Sequence, residues 1–142
     1  MKTVILNILT FVFIASIANA QTISVKISGI RNTKGSLKLA FFSSENEFKK
    51  EYPKYEKTVN KNNITNGCIT VSYDDIPQGK YGIALLDDEN NNNKMDYSFF
   101  VPSEGFGFSN YILSGFCKPK FDDFSFNFGK ENKTIKIVLK YM

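Results

Sequence analysis

The sequence predicts an all-β fold: a single antiparallel two-sheet sandwich of about seven strands, with at most one short helical turn. Three observations carry this. Apolar residues recur at every second position in short runs, as in half-buried strands; those runs are separated by Gly, Pro, Asn and Asp; and no stretch longer than one turn has helical spacing. The chain has 142 residues and a formal charge of +4.

The first segment predicts export. Met1-Lys2 begins it, an apolar run extends from Val4-Ile5-Leu6 to Ile17, and Ala18-Asn19-Ala20 forms a small-x-small exit before Gln21. That order is a secretory signal peptide, residues 1–20, leaving one domain over 21–142. The apolar run falls short of the roughly 20 residues a membrane-spanning helix needs, so no stable membrane insertion is expected after cleavage. Gln21 stands where a lipidated cysteine would have to be. The mature chain, about 120 residues, is the size of one domain, and its expected location is secreted or periplasmic.

From Thr22 the elements follow in order. Ile23, Val25 and Ile27 share one face of a first strand; Gly29 to Gly35 turns the chain; Leu37, Leu39 and Phe41 share a face of the second. Ser44 followed by Glu47 predicts one capped helical turn before Pro53 stops it. Beyond the polar Lys61-Asn62-Asn63, Ile69, Val71 and Tyr73 alternate in a third strand. Asp74 to Gly79 has turn chemistry, and Lys80 to Leu86 resumes an extended run. Asp87 to about Asn110 then reads as a long irregular connection, of the kind that is functional or held by something. Tyr111-Ile112-Leu113, Phe124 to Phe128 and Thr134 to Tyr141 supply the last strands. The architecture is immunoglobulin-like or transthyretin-like; a small closed barrel is the alternative.

Composition narrows the function. The chain has no histidine, which excludes His-assisted nucleophiles and the usual His-containing zinc sites. Arg31 is the sole arginine and the lysines are scattered, so no nucleic-acid partner is expected. Cys68 and Cys117 either bridge, as an oxidising exterior permits, or remain two separate buried thiols.

One loop carries a pattern with chemical meaning. Asp88, Asn90, Asn92 and Asp96 place side-chain oxygens at alternating positions, with the Lys94 carbonyl between the last two. A hard cation such as Ca²⁺ takes six to eight oxygens, and a curling loop supplies them at such spacing. Counted from Asp88, the sixth position is Asn93, the next best residue after glycine for a left-handed backbone. The twelfth is Phe99 and not the bidentate glutamate of an EF-hand, so a further ligand has to come from elsewhere. Glu89, Glu104 and Asp87 are the nearest carboxylates, and Glu104 is the first choice because Pro102 and Gly105 can turn the chain back. The alternative is an ion-free, asparagine-rich surface hairpin. In Pro102 to Asn110, two glycines alternate with Phe106 and Phe108, which plug a core or present aromatic faces to a sugar or peptide.

Leu85 to Asn90, Lys94-Met95-Asp96, Pro102, Glu104 to Asn110 and Phe121-Asp122-Asp123, preceded by Ile76 to Tyr81, together resemble the secreted bacterial family named domain of unknown function 2141. The chain departs from that family's pattern at Asp87, where a histidine is common, and at Asn92-Asn93, where Asn-Gly is expected. The resemblance implies an exported sandwich and brings no established activity. The loop is also similar to calcium loops of B-type repeats in bacterial adhesins, an analogy of fold.

The expected function is therefore a non-enzymatic exported binding or scaffold module with a calcium-stabilised loop and a glycan or protein partner. The alternative is a carboxylate-based hydrolase of extracellular carbohydrate, with Asp74-Asp75 or Asp122-Asp123 opposing Glu104. That chemistry needs two carboxyl groups facing across a cleft at about 5 Å or 6.5–9.5 Å.

Overall fold

A computed structural model describes residues 20–142; the signal-peptide assignment over 1–20 therefore lies almost wholly outside the described residues. Alternation places β1 (Ile23–Ser28), β2 (Ser36–Phe42), β4 (Ile69–Tyr73), β5 (Gly79–Asp88) and β10 (Lys133–Val138) as strands. Three further segments are strands that alternation did not reveal: β3 (Tyr55–Asn60), the hairpin β6 (Tyr97–Ser98) and β7 (Val101–Pro102), and β8 (Gly105–Phe108). β9 covers Ser125–Phe128.

Two sheets stack, one in the order β10-β1-β4 and the other β3-β2-β5-β8 with β9 also on β5. β5 is long enough for two neighbours on one edge: Gly79–Gly82 pairs with β9, and Ala84–Asp87 with β8. Between the sheets, Val25, Ile27, Ile135 and Ile137 meet Leu37, Leu39, Phe41, Ile83 and Leu85 in one core. Each alternating apolar set thereby leaves water, worth about 1.5–3 kcal/mol per large side chain. The sandwich is as expected.

Several details differ. β1 and β10 run parallel, from Ile23 opposite Lys133 to Ser28 opposite Val138. Alternation reports which face is buried and not direction, and parallel neighbours need a long crossover; here the whole domain provides it. Tyr111-Ile112-Leu113 forms no strand: Asn110 is left-handed (φ 52) and Tyr111 makes only a single bridge to Phe108. The apolar triplet finds no sheet edge, and Ile112 stays exposed.

Among the described residues there are two short helices where one turn was expected. α1 (Glu45–Lys49) has Ser44 as N-cap, its hydroxyl accepting from the Glu47 N–H at 3.2 Å. The Glu47 carboxylate reaches back one residue further than a capping box requires, to the N–H of Ser43 at 2.7 Å. α2 (Phe121–Phe124) is capped by Asp123, which accepts from the Lys120 N–H at 2.8 Å. The two helices bring Phe48, Phe121 and Phe124 together with Phe42 and Phe108 in a second apolar cluster. Phe108 thus packs into that cluster, with Phe106 against its edge. Among the described residues no helix is long and apolar enough to cross a membrane.

Candidate functional site: the Asp88–Asp96 loop and its anchors

β5 delivers the loop. Its last residues pair with β2, Leu37 opposite Asp87 and Ser36 opposite Asp88, so the first candidate ligand leaves from an ordered sheet and is fully buried. Both Asp88 oxygens accept backbone N–H groups, Oδ1 from Asn92 at 3.0 Å and Oδ2 from Asn93 at 2.9 Å. The chain therefore curls around this carboxylate. Asn91 and Asn93 make the curl with left-handed backbones (φ 57 and 61), the conformation that asparagine tolerates best among non-glycine residues.

The remaining predicted residues gather at Asp96. Asn90 donates its Nδ2 to Asp96 Oδ2 at 2.6 Å, and Asn92 donates to both Asp96 oxygens at 3.0 and 2.9 Å. Asn90 Oδ1 accepts from the Asn92 N–H at 3.0 Å, and Asn92 Oδ1 from the Lys94 N–H at 2.9 Å. Glu104 closes the ring from the far side of the β6–β7 hairpin, accepting from the Glu89 N–H at 3.0 Å and the Asp96 N–H at 3.3 Å. The structure thus brings Asp88, Asn90, Asn92, Asp96 and Glu104 into one network, with Lys94 at its edge. Burial, with the nearby charges of Asp96 and Asp88 adding to it, pushes the Glu104 carboxyl above the usual range against those two N–H bonds.

The other two nearby carboxylates are engaged elsewhere. Asp87 and Lys61 form an ion pair of which 0% and 1% of the side chains are exposed, and Tyr141 donates its hydroxyl to Asp87 Oδ2 at 2.6 Å. Burial, with this bond second, raises the Tyr141 phenol. Glu89 accepts two bonds from Arg31, at 2.6 and 2.9 Å, and one from Asn32 at 2.9 Å. The Arg31 hydrogen bonds hold the Glu89 carboxyl below its ordinary range. The Arg31 guanidinium also stacks 4.3 Å from the centre of the Tyr141 ring. Two ion pairs on successive odd positions, Asp87 and Glu89, therefore clamp the start of the loop to the rest of the domain. Lys61 and Tyr141 escaped sequence reasoning: Lys61 sits among asparagines as any surface lysine does, and Arg31 alone carried a signal, as the single arginine.

As a cation cage the donor set fits in composition, while N–H groups meet the carboxylate oxygens of Asp88, Asp96 and Glu104. Among the described residues no three His, Cys, Asp or Glu side chains form a ready-made metal group; the acidic side chains here are interleaved with amides. Asn90 and Asn92 turn nitrogen toward Asp96, and a half-turn of each terminal amide brings its oxygen to the same place. Such a set of oxygens is the chemistry of a calcium loop.

Three of the four aspartates proposed for hydrolysis hold structural partners. Asp75 is paired with Lys57, Asp122 with Lys80 at 2.7 Å, and Asp123 caps α2. Cys68 and Cys117 are both exposed and unbonded, so neither a bridge nor a pair of buried thiols is present. The cysteine at 68 lies in a tight turn in which it and Thr65 exchange two backbone bonds at 3.0 Å.

A family model described as "Uncharacterized protein conserved in bacteria (DUF2141)" matches residues 25–136. No curated protein and no solved structure matches the chain.

Proposed function

The chain belongs to the DUF2141 family of uncharacterized bacterial proteins, and on that premise we propose that it is an exported, non-enzymatic binding or scaffold module whose Asp88–Asp96 loop is stabilised by Ca²⁺. One observation supports the ion: the Asn90 and Asn92 side chains meet at the Asp96 carboxylate, while Asp88 and, from beyond the hairpin, Glu104 accept backbone N–H groups of the same loop. Asp88, Asn90, Asn92, the Lys94 carbonyl, Asp96 and Glu104 would hold the ion, and it would offset the cost of burying the Glu104 carboxylate near Asp96 and Asp88. With so few carboxylates the expected affinity is weak, on the order of 10⁻⁴ to 10⁻³ M, the extracellular range.

The test is thermal unfolding in millimolar calcium and then in chelator. The midpoint is expected to fall by several degrees on chelation in the wild type and to be insensitive in Asp96→Ala; coincident wild-type melts contradict the reading. The non-catalytic reading rests on the partners already held by Asp75, Asp122, Asp123 and Glu104. Polysaccharide hydrolysis that Glu104→Gln abolished would overturn it. Export rests on the pattern of residues 1–20, and the mass of the protein recovered outside the cytoplasm is expected to begin at Gln21; an unprocessed mass contradicts it.

A further inference from the structure

The outer face of the larger sheet is covered at one end only. There α1 and α2 lay phenylalanines over it. At the border of that aromatic cluster, and packed against it, Ala40 and Ala84 sit side by side as register partners, with Leu86 opposite Phe106 beyond them. Two alanines in the middle of a sheet face leave a hollow floor, and the result is an open groove of about 850 Å³, within the usual range for small-molecule sites of about 300–1,000 Å³. Segments 48–58, 93–102 and 113–119, with Met142, contribute most of its remaining lining.

The rim has two unusual properties. The β6–β7 turn has two central residues, Phe99 and Phe100, both left-handed (φ 49 and 69). A hairpin turn of this kind favours Asn-Gly because both positions need positive φ, which bulky L-residues resist. The sequence nevertheless places two phenylalanines there, 96% and 99% exposed; of the two, Phe100 lines the groove, as does Phe116, 83% exposed. Of the charged residues along it, Lys57 turns its ammonium inward to Asp75 and the Tyr73 ring, which leaves Lys38, Lys94 and Lys118 against Glu51 and Glu56. Asp75 holds Lys57 and Glu51 holds Lys118. No carboxylate pairs with Lys38 or Lys94 among the described residues, Lys38 donating to the Thr58 hydroxyl at 3.3 Å, and no lysine pairs with Glu56.

We propose that this groove binds a single-chain fatty acid, its tail on the alanine floor between the aromatic rims and its carboxylate at Lys38 and Lys94. The floor of Ala, Leu and Phe gives hydrocarbon the contact that exposed rings lack. The floor side chains themselves offer a sugar no hydrogen-bonding partner, and Lys38 and Lys94, which no carboxylate neutralises, favour an anionic head on the side of the groove away from Glu56 and toward the loop. Binding sets the disfavoured Phe-Phe turn against a gain in buried apolar surface. The floor is sheet and does not depend on the ion; of the two lysines, only Lys94 lies in the loop that the proposed ion would hold.

The experiment is a titration of the domain, in calcium-containing buffer, with low-micromolar cis-parinaric acid, whose fluorescence rises in apolar surroundings, and with its neutral methyl ester. Saturable one-to-one binding of the acid is expected, with the ester at least tenfold weaker. Ala84→Phe, which fills the floor, and Lys38→Gln/Lys94→Gln, which alters only side chains at the rim, should each weaken the acid at least tenfold. Phe99→Asn/Phe100→Gly should weaken it at least fivefold while raising the thermal midpoint, because the turn then has its preferred residues. No enhancement, equal binding of acid and ester, or full affinity in the Ala84 and lysine variants overturns the proposal. So does recovery of the protein on phosphatidylglycerol vesicles with no affinity for the free acid, which assigns the face to a membrane surface.

Discussion

Asp87→Ala is expected to lower stability by about 3–5 kcal/mol, the usual loss when one partner of a buried ion pair is removed. The Lys61 ammonium, 1% exposed, would be left without its counter-charge, and the Tyr141 hydroxyl without the acceptor it reaches at 2.6 Å. Urea unfolding of the two proteins measures the difference. Replacing both members by apolar residues, Lys61→Met/Asp87→Leu, should recover most of the loss, because well-packed hydrocarbon replaces such pairs at little net cost. A midpoint for Asp87→Ala close to wild type would mean that water reaches the pair. The pair lies directly before the loop, so this variant also asks whether the loop depends on a rigid start.

Gly35→Ala addresses the same junction from the other side. Gly35 is left-handed (φ 67), and a Cβ there would lie 1.9 Å from the Asp88 carbonyl oxygen and 2.7 Å from the Glu89 Cα. Left-handed backbone costs an L-residue about 1–2 kcal/mol, and overpacking typically about 1–3 kcal/mol, so a loss of about 2–5 kcal/mol is expected. The atoms that must yield are backbone of the loop itself. The variant should therefore also lose the melting difference between calcium and chelator, whereas a surface substitution such as Lys130→Ala should keep it. Wild-type stability and a retained difference would show that the turn at 29–35 and the loop are not packed as described.

How much of this was legible beforehand depends on what each residue signals alone. Ile23, Val25, Ile27 and Leu37, Leu39, Phe41 announce strands because water is excluded from one face only, and period two follows from that. Tyr55 to Asn60 hid because an inward position is Lys57, which reaches Asp75 and lies 5.3 Å from the centre of the Tyr73 ring; its ammonium masks the apolar stem. Gly105 to Phe108 hid because its glycines are there to let neighbours in: a Cβ at Gly107 would meet Ile137 at 2.7 Å. Such closeness is a property of the packed sandwich and has no local signature. The parallel pairing of β1 with β10 likewise depends on where the chain ends up.

The loop was legible in its spacing and in Glu104, because alternating oxygens and a Pro-x-x-Gly return are local features. Its clamps were not. Lys61, twenty-six positions before Asp87, and Tyr141, fifty-four positions after it, become partners only through the fold. Nor could the sequence reveal that Asn90 and Asn92 turn their amide nitrogens to Asp96, since the orientation of an amide is set by what surrounds it.

Calorimetric titration of calcium into the processed domain, alongside Asp96→Ala, puts the ion reading to its most direct trial. A single site in the high-micromolar to millimolar range, on the order of 10⁻⁴ to 10⁻³ M, lost in the variant, is the predicted result. Absence of heat in the wild type at millimolar calcium, or an unchanged isotherm in Asp96→Ala, would contradict it and leave the loop held by its own hydrogen bonds.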